Sequence, residues 1–580
     1  MTYKLPPLAA IALCCGLLSA PLGTVAAAGD EPQPEAQTER LPAPLPAQTL
    51  TSDTLFLLLL GEIAGGRGEL YTSVEAYLLA ARQTRDPRIA QRATEIALYA
   101  RELDAATSAA RIWLDSAPQS DEARRMLASI LATRGGQLNE VQIELARILA
   151  NSDGERLEQN LLGLNRALAP LPDKSLAHEV IVRLTEPYEE HPAAWLARAQ
   201  ATAADSDPYG ALLAVNEAIV HRPGWEPAVV FKAQLLAQTE QLEAALELLD
   251  THLNEHPGHQ RVRLTYARAL VTAGELSSAL VEFKQLLTLH PEDADLMYAV
   301  ALISSEMGDY ELAAVQFERA LEVGHPEADA ITFNLGRIYE QLEESGEALD
   351  WYYRVGDGPH HVDARIRIAH VLASTGALSA ARAHLRETAR NAEAEDARRL
   401  VLTEAMLLRE AGMEDEALER VEEILAQHPD DPDLLYEAAM LAERLERLDR
   451  MEQRLRQLIE LEPDHAHAYN ALGYALADRG MRLDEAEELI AHALELAPHD
   501  PYILDSMGWI RFRRDDPEGA LLHLEEAYEQ RQDPEIAAHL GEVLWTLNRR
   551  EDANQIWNEA LQKAPDNATL DETVKRLRGQ

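Results

Sequence analysis

Residues 295–326 read DLMYAVALISSEMGDYELAAVQFERALEVGHP. Two apolar stretches with helical spacing flank Gly308-Asp309, a pair suited to a turn. The spacing predicts one helix over residues 296–307 and a second over 311–323, closed by Pro326. Proline stops the unit because it lacks the amide that would extend the helix and biases its predecessor away from helical backbone. Ala301 in the first helix lets the two backbones approach closely, while larger side chains interlock on either side.

The same pattern returns along the chain. A small residue recurs at Ala199, Ala233, Ala267, Ala301, Gly336, Ala369, Ala405, Ala439, Gly473, Gly508 and Gly541, at intervals close to thirty-four. A second follows in the partner helix at Ala245, Ala279, Ala313, Ala348, Ala381, Ala417, Ala486, Ala520 and Ala553. Looser versions centre on Gly61, Ala93, Ala128 and Gly163, which makes fifteen helical hairpins in all. One hairpin cannot bury its apolar stripe alone, so the repeats must stack and share a continuous core. The expected fold is all-α, a right-handed superhelical solenoid. Leu335-Gly336, Leu472-Gly473, Met507-Gly508 and Leu540-Gly541, with the later alanine and proline, resemble the tetratricopeptide repeat. The organisation expected is a signal peptide over 1–28, a disordered linker over 29–49, degenerate helical repeats over 50–191, and tetratricopeptide repeats over 192–572.

Lys4, the apolar run from Leu8 to Leu18 and the small residues Val25 to Ala28 read as an export signal. Both cysteines, Cys14 and Cys15, lie inside it. Either the signal is cleaved after them and the protein is soluble, or Cys14 or Cys15 carries a lipid, with Cys15 the candidate. Leu13 stands before Cys14 where a small residue is wanted, and Ala12-Leu13-Cys14-Cys15 is also irregular. Gly29 to Thr49 is rich in Pro, Ala, Gln and Glu, the composition of a disordered spacer. Helical order should begin at Ser52 or Asp53, either of which can cap the first amides. The expected location is the periplasm, with the chain soluble or attached to the outer membrane.

The net charge of −46 argues against nucleic acid as a partner, since phosphate neutralisation needs basic clusters. The acids are spread over nearly all repeats, which reads as a solvated surface, or else as a match for a basic partner. Catalytic and nucleotide-binding motifs are absent, so no enzyme is expected, and neither a cofactor nor a metal is called for. His191, His256, His290, His325 and His428 precede closing prolines, where they are expected to complement helix-end carbonyls. His465 and His467 have the spacing of a metal pair, a weaker alternative.

The inner wall is the better candidate surface. In this repeat type it is lined by the first helix of each unit, three before, one after and four after the small residue. Those positions hold Tyr298, Phe333, Arg337, Asn470, Tyr474, Asp505, Trp509, Phe512 and Trp545, with Arg268 upstream. Aromatic residues are only 5% of the chain, so Tyr474, Trp509, Phe512 and Trp545 along one side are an uneven scatter. They serve either as contact area for a partner or as packing between successive repeats. Arg268 and Arg337 suit a peptide carboxylate or a surface ion pair.

The C-terminal stretch NALGYALADRGMRLDEAEELIAHALELAPHDPYILDSMGWIRFRRDDPEGALLHLEEAY and the N-terminal LFLLLLGEIAGGRGELYTSVEAYLLAARQTRDPRIAQRATEIALYARELDAA resemble a proteobacterial group of exported tetratricopeptide proteins. That group includes a lipoprotein adaptor of a periplasmic carboxyl-terminal processing protease. The resemblance implies a non-enzymatic scaffold that holds the protease and delivers substrates, notably peptidoglycan hydrolases. The competing expectation is an assembly factor for an envelope secretion or exopolysaccharide complex.

Overall fold

The computed structural model describes residues 50–134 and 138–579. The expected signal peptide, linker and Cys15 lipidation lie outside these residues. The described residues form paired α-helices with no strand among them, the expected fold class. They divide into two compact units, the first ending at His325 and the second beginning at Pro326.

The unit quoted first shows why the sequence folds this way. Its first helix is Ala294–Glu306, and the Asp293 carboxylate caps it by accepting from the Leu296 amide at 3.0 Å. Its second is Tyr310–Glu322, capped by Asp309 through the Leu312 amide. Gly308 between them has φ of +80°. This left-handed turn is required in nearly every repeat, because it points the second helix back along the first. Glycine meets it at no steric cost. Glu240, Glu343, Glu446, Asp515 and Asn548 adopt the same conformation at the same place, so stacking overrides the local preference of the residue.

The small residues are where the helices touch. Ala301 and Ala313 are fully buried. A Cβ at Gly336 would fall 2.5 Å from the buried Tyr352 ring, and one at Gly541 would fall 2.0 Å from Nε1 of Trp557, whose side chain is completely buried. The bulky partner has moved to the second helix and the glycine opposite makes room for it.

In the first unit, capping begins one residue earlier than expected. The Thr51 hydroxyl accepts from the Thr54 amide at 3.1 Å and starts the helix Ser52–Gly66. Gly163 is not the waist of a regular hairpin either. It breaks the chain between two short helices, Gly154–Leu162 and Leu164–Leu168, before Lys174–Thr185 resumes. Glu158 on the first of these accepts from Arg222 at 3.0 and 2.8 Å, a pairing over 64 residues that ties this irregular stretch to the regular repeats.

Ion pairs between neighbouring helices are the second fastening. In the second unit, Glu404 on Ala394–Glu410 has no exposed surface. Its carboxylate accepts from Arg386 and Arg420 at 2.8 Å each, and Arg382 lies 3.4 Å away. These arginines come from the helices before and after it, Leu378–Ala389 and Glu414–Leu425. In the first unit Arg124 and Glu144 make a similar buried pair at 2.8 Å.

Two outcomes follow for urea unfolding followed by circular dichroism. Gly541→Ala should destabilise the C-terminal repeats by about 1–3 kcal/mol, because the Trp557 indole has no space to yield. Glu404→Gln should cost about 1–3 kcal/mol, since it removes the buried charge that Arg386 shares with Arg382 and Arg420, which keep Glu416 and Glu423. An unchanged midpoint for either variant would contradict that account of the packing.

Candidate functional site

Three successive first helices carry the richest cluster of expected groove residues: Ala466–Asp478, Pro501–Arg513 and Pro534–Thr546. Each packs directly on the next, and the last also packs on Ala568–Arg578. Asn470 and Tyr474 are four apart on the first of these, and Asp505 and Trp509 four apart on the second, so each pair shares a face.

The structure gathers these side chains around a residue the sequence reading missed. His539 Nδ1 lies 2.9 and 3.0 Å from the two Asp505 carboxylate oxygens. The Trp509 ring stacks on the His539 ring at 4.2 Å and 21°. The Tyr474 ring lies 6.1 Å from that of His539, tilted at 46°, and Phe512 lies 5.5 Å from Trp509. His539 is 5% exposed and Trp509 7%, so these two form the floor of the cluster. Tyr474, Asn470 and Phe512 keep part of their surface open. A signal was available: His539 stands one repeat after Asp505 and just before the small residue Gly541.

Trp545 goes elsewhere. It packs on Trp557 at 5.6 Å, with the Arg550 guanidinium 4.9 Å from its ring. Glu542 is buried and accepts from Arg576 on the last helix at 2.6 Å. Two polar atoms of the cluster are left over: the Trp509 indole Nε1 and the Asn470 carbonyl Oδ1 are buried without a hydrogen-bond partner.

The remaining expected residues are spread out. Tyr298 is buried and stacks on His325 at 4.6 Å, with Phe317 at 5.7 Å. Phe333 stacks on His360 at 5.1 Å and Tyr436 on His465 at 5.6 Å. An aromatic of the first helix covered by a histidine late in the same repeat is therefore a recurrent packing device. Arg268 and Arg337 are half-buried and belong to different compact units.

This placement corrects the reading of the histidines. His256 and His290 do stand at helix C-termini. His191 instead caps the following helix, accepting from the Ala193 amide at 3.2 Å, and His325 is buried under an aromatic ring. His256 is also not isolated, for its ring lies 4.8 Å from His252 and 5.0 Å from His259. His465 Nδ1 accepts from the Ala468 amide at 3.1 Å, while His467 faces Asp500 at 3.8 Å, so the two rings have separate partners. They line a cavity of about 500 Å³ with Leu402, Asp433, Tyr436 and Glu437.

The tetratricopeptide repeat profiles match residues 236–303, 305–358, 402–450 and 452–501. A TPR repeat-containing protein of Pseudomonas aeruginosa is 37% identical over 514 residues, which span 89% of this chain and 86% of that protein. The chain belongs to the tetratricopeptide repeat family. Among solved structures, a thermophilic TPR protein of Thermus thermophilus is 23% identical, covering 31% of this chain and 98% of its own, at a TM-score of 0.29. MamA of Desulfovibrio magneticus is 18% identical, covering 29% and 97%, at a TM-score of 0.26. Proteins of this family bind other proteins, and this tetratricopeptide chain is a protein-interaction scaffold.

The buried pair gives the scaffold a measurable pH dependence. Burial disfavours the charged form of His539, but the Asp505 carboxylate, aided by Glu535 and Glu542, outweighs it and raises the pKa above the ordinary histidine value. A raised folded-state pKa means the pair's contribution is complete below the unfolded value of about 6.5 and is lost as pH rises through the folded one. The thermal midpoint of the tetratricopeptide protein should therefore fall on alkalinisation more steeply than that of His539→Gln. Parallel curves would show that the pair is not linked to folding.

Proposed function

We propose that this chain is a non-enzymatic adaptor of the bacterial envelope. It holds a carboxyl-terminal processing protease and presents substrates to it in cell-wall turnover. The observation that carries this reading is the resemblance of both ends, the first repeat hairpins and the last units from Asn470 on, to the exported adaptor group. The ends matter because the middle repeats are of a generic kind, whereas the terminal stretches carry group-specific sequence. The reading is supported by the Pseudomonas relative, whose similarity extends over 89% of this chain and not over a few repeats alone. The export signal read over residues 1–28 puts the chain in the periplasm, soluble or held at the outer membrane through Cys15.

Affinity purification of the mature chain from envelope extract, followed by mass spectrometry, tests the proposal. A carboxyl-terminal processing protease should be recovered together with a peptidoglycan hydrolase. Phe512→Ala with Tyr474→Ala, both partly open side chains, should lose one of the two partners and keep the other. Recovery of secretion-channel or exopolysaccharide-export components in their place would overturn the adaptor reading in favour of an assembly factor.

A further inference from the structure

We infer that the cleft around Tyr474 seats a cationic side chain of a bound polypeptide, an arginine or lysine, while the peptide main chain engages Asn470 and Trp509. This deepens the adaptor reading and rests on it for the source of the polypeptide, a client of the scaffold.

The electrostatic surroundings of Tyr474 are one-sided. The charges acting on its hydroxyl are carboxylates of four successive first helices: Asp505, Asp478, Glu535 and Glu443. Asp505 is matched by His539 at 2.9 Å. Glu443 has only Arg479 at 3.8 Å, beyond hydrogen-bond reach. Glu535 has no ion-pair partner among the described residues, and its residue surface is exposed, so a ligand can reach it. Desolvation by the surrounding protein raises both carboxyls, at Glu443 against Arg479 and with Asp478, and at Glu535, although part of the residue is open, with Asp533 and Asp505 against His539. A cation brought into the cleft would reverse that cost, and the Tyr474 ring supplies a face for it.

The unpartnered atoms supply the second, independent argument. Trp509 is 7% exposed, stacks on the same His539 that faces Tyr474, and its Nε1 donor has no acceptor. Asn470, on the face of Tyr474, has a buried Oδ1 acceptor without a donor. Buried polar atoms are nearly always paired in native proteins. Each peptide unit offers one carbonyl acceptor and one amide donor, the two groups that Trp509 and Asn470 lack. A free metal ion or small anion satisfies neither combination.

The test uses the full mature chain and a fluorescein-labelled, amidated decapeptide of alternating alanine and arginine, with a glutamate counterpart. Anisotropy titrations run near physiological salt, where exposed charges farther apart than about 8 Å are screened. The arginine peptide should bind and the glutamate peptide should not. Tyr474→Ala should weaken the arginine peptide about tenfold, and Glu535→Gln or Glu443→Gln several-fold, roughly the range for a lost cation–π contact or ion pair. Glu243→Gln, an exposed acid of the other compact unit, is the control for the chain's overall charge and should leave binding unchanged. Helical circular dichroism verifies that each variant folds. Equal loss in the Glu243→Gln control, unchanged affinity in all three cleft variants, or no arginine-peptide binding by the wild type would each overturn the inference. Should the cleft behave as stated while envelope purification yields no processing protease, the adaptor reading falls and the cleft stands.

Discussion

Every repeat depends on two helices approaching closely at one small residue. Gly336 does this by admitting the ring of Tyr352, and Gly541 does it by admitting the whole indole of Trp557. The contact sets the separation of the pair, and the separation sets where the next pair can stack. Larger side chains then fill the ridges and grooves between helices. Because a repeat buries little by itself, stability passes from neighbour to neighbour, and a misfit at one waist is felt by the units around it. The same constraint explains why left-handed turns occur at Glu240, Glu343 or Asn548 without a glycine, for the hairpin geometry leaves those residues no other backbone.

Charge works within that frame. A chain of net charge −46 repels itself, and its arginines answer the repulsion locally. Glu404 joins Arg386 of the preceding hairpin to Arg420 of its own, and Arg124 against Glu144 ties together the two helices of one hairpin. Arginine suits this use because its planar fork can serve carboxylates from more than one helix. The cluster at Tyr474 departs from the rule. There carboxylates of successive helices converge with too few cations to match them, and two buried polar atoms lack partners. A bound polypeptide can complete both shortages at once.

Part of this was legible beforehand. Periodicity located the hairpins, their turns and the face of the first helix on which Asn470, Tyr474, Asp505 and Trp509 lie. It did not reveal that Trp509 lies under His539, or that Trp545 turns toward Trp557. Nor did it foresee the break at Gly163, where a glycine at the expected interval ends a helix early. His325 was read as a helix-end donor and is a buried ring on Tyr298.

The sequence by itself determined the all-α repeat architecture, since a small residue returning about every thirty-four positions between apolar helical stripes admits no other packing. Tertiary structure alone decided which groove residues meet and which are covered. That outcome depends on side chains from adjacent repeats competing for the same space: His539 reaches Asp505 across a helix interface, so neither residue's own repeat announces the pair. Burial and pairing are properties of neighbours brought together in space, and periodicity within a repeat records only where each side chain starts.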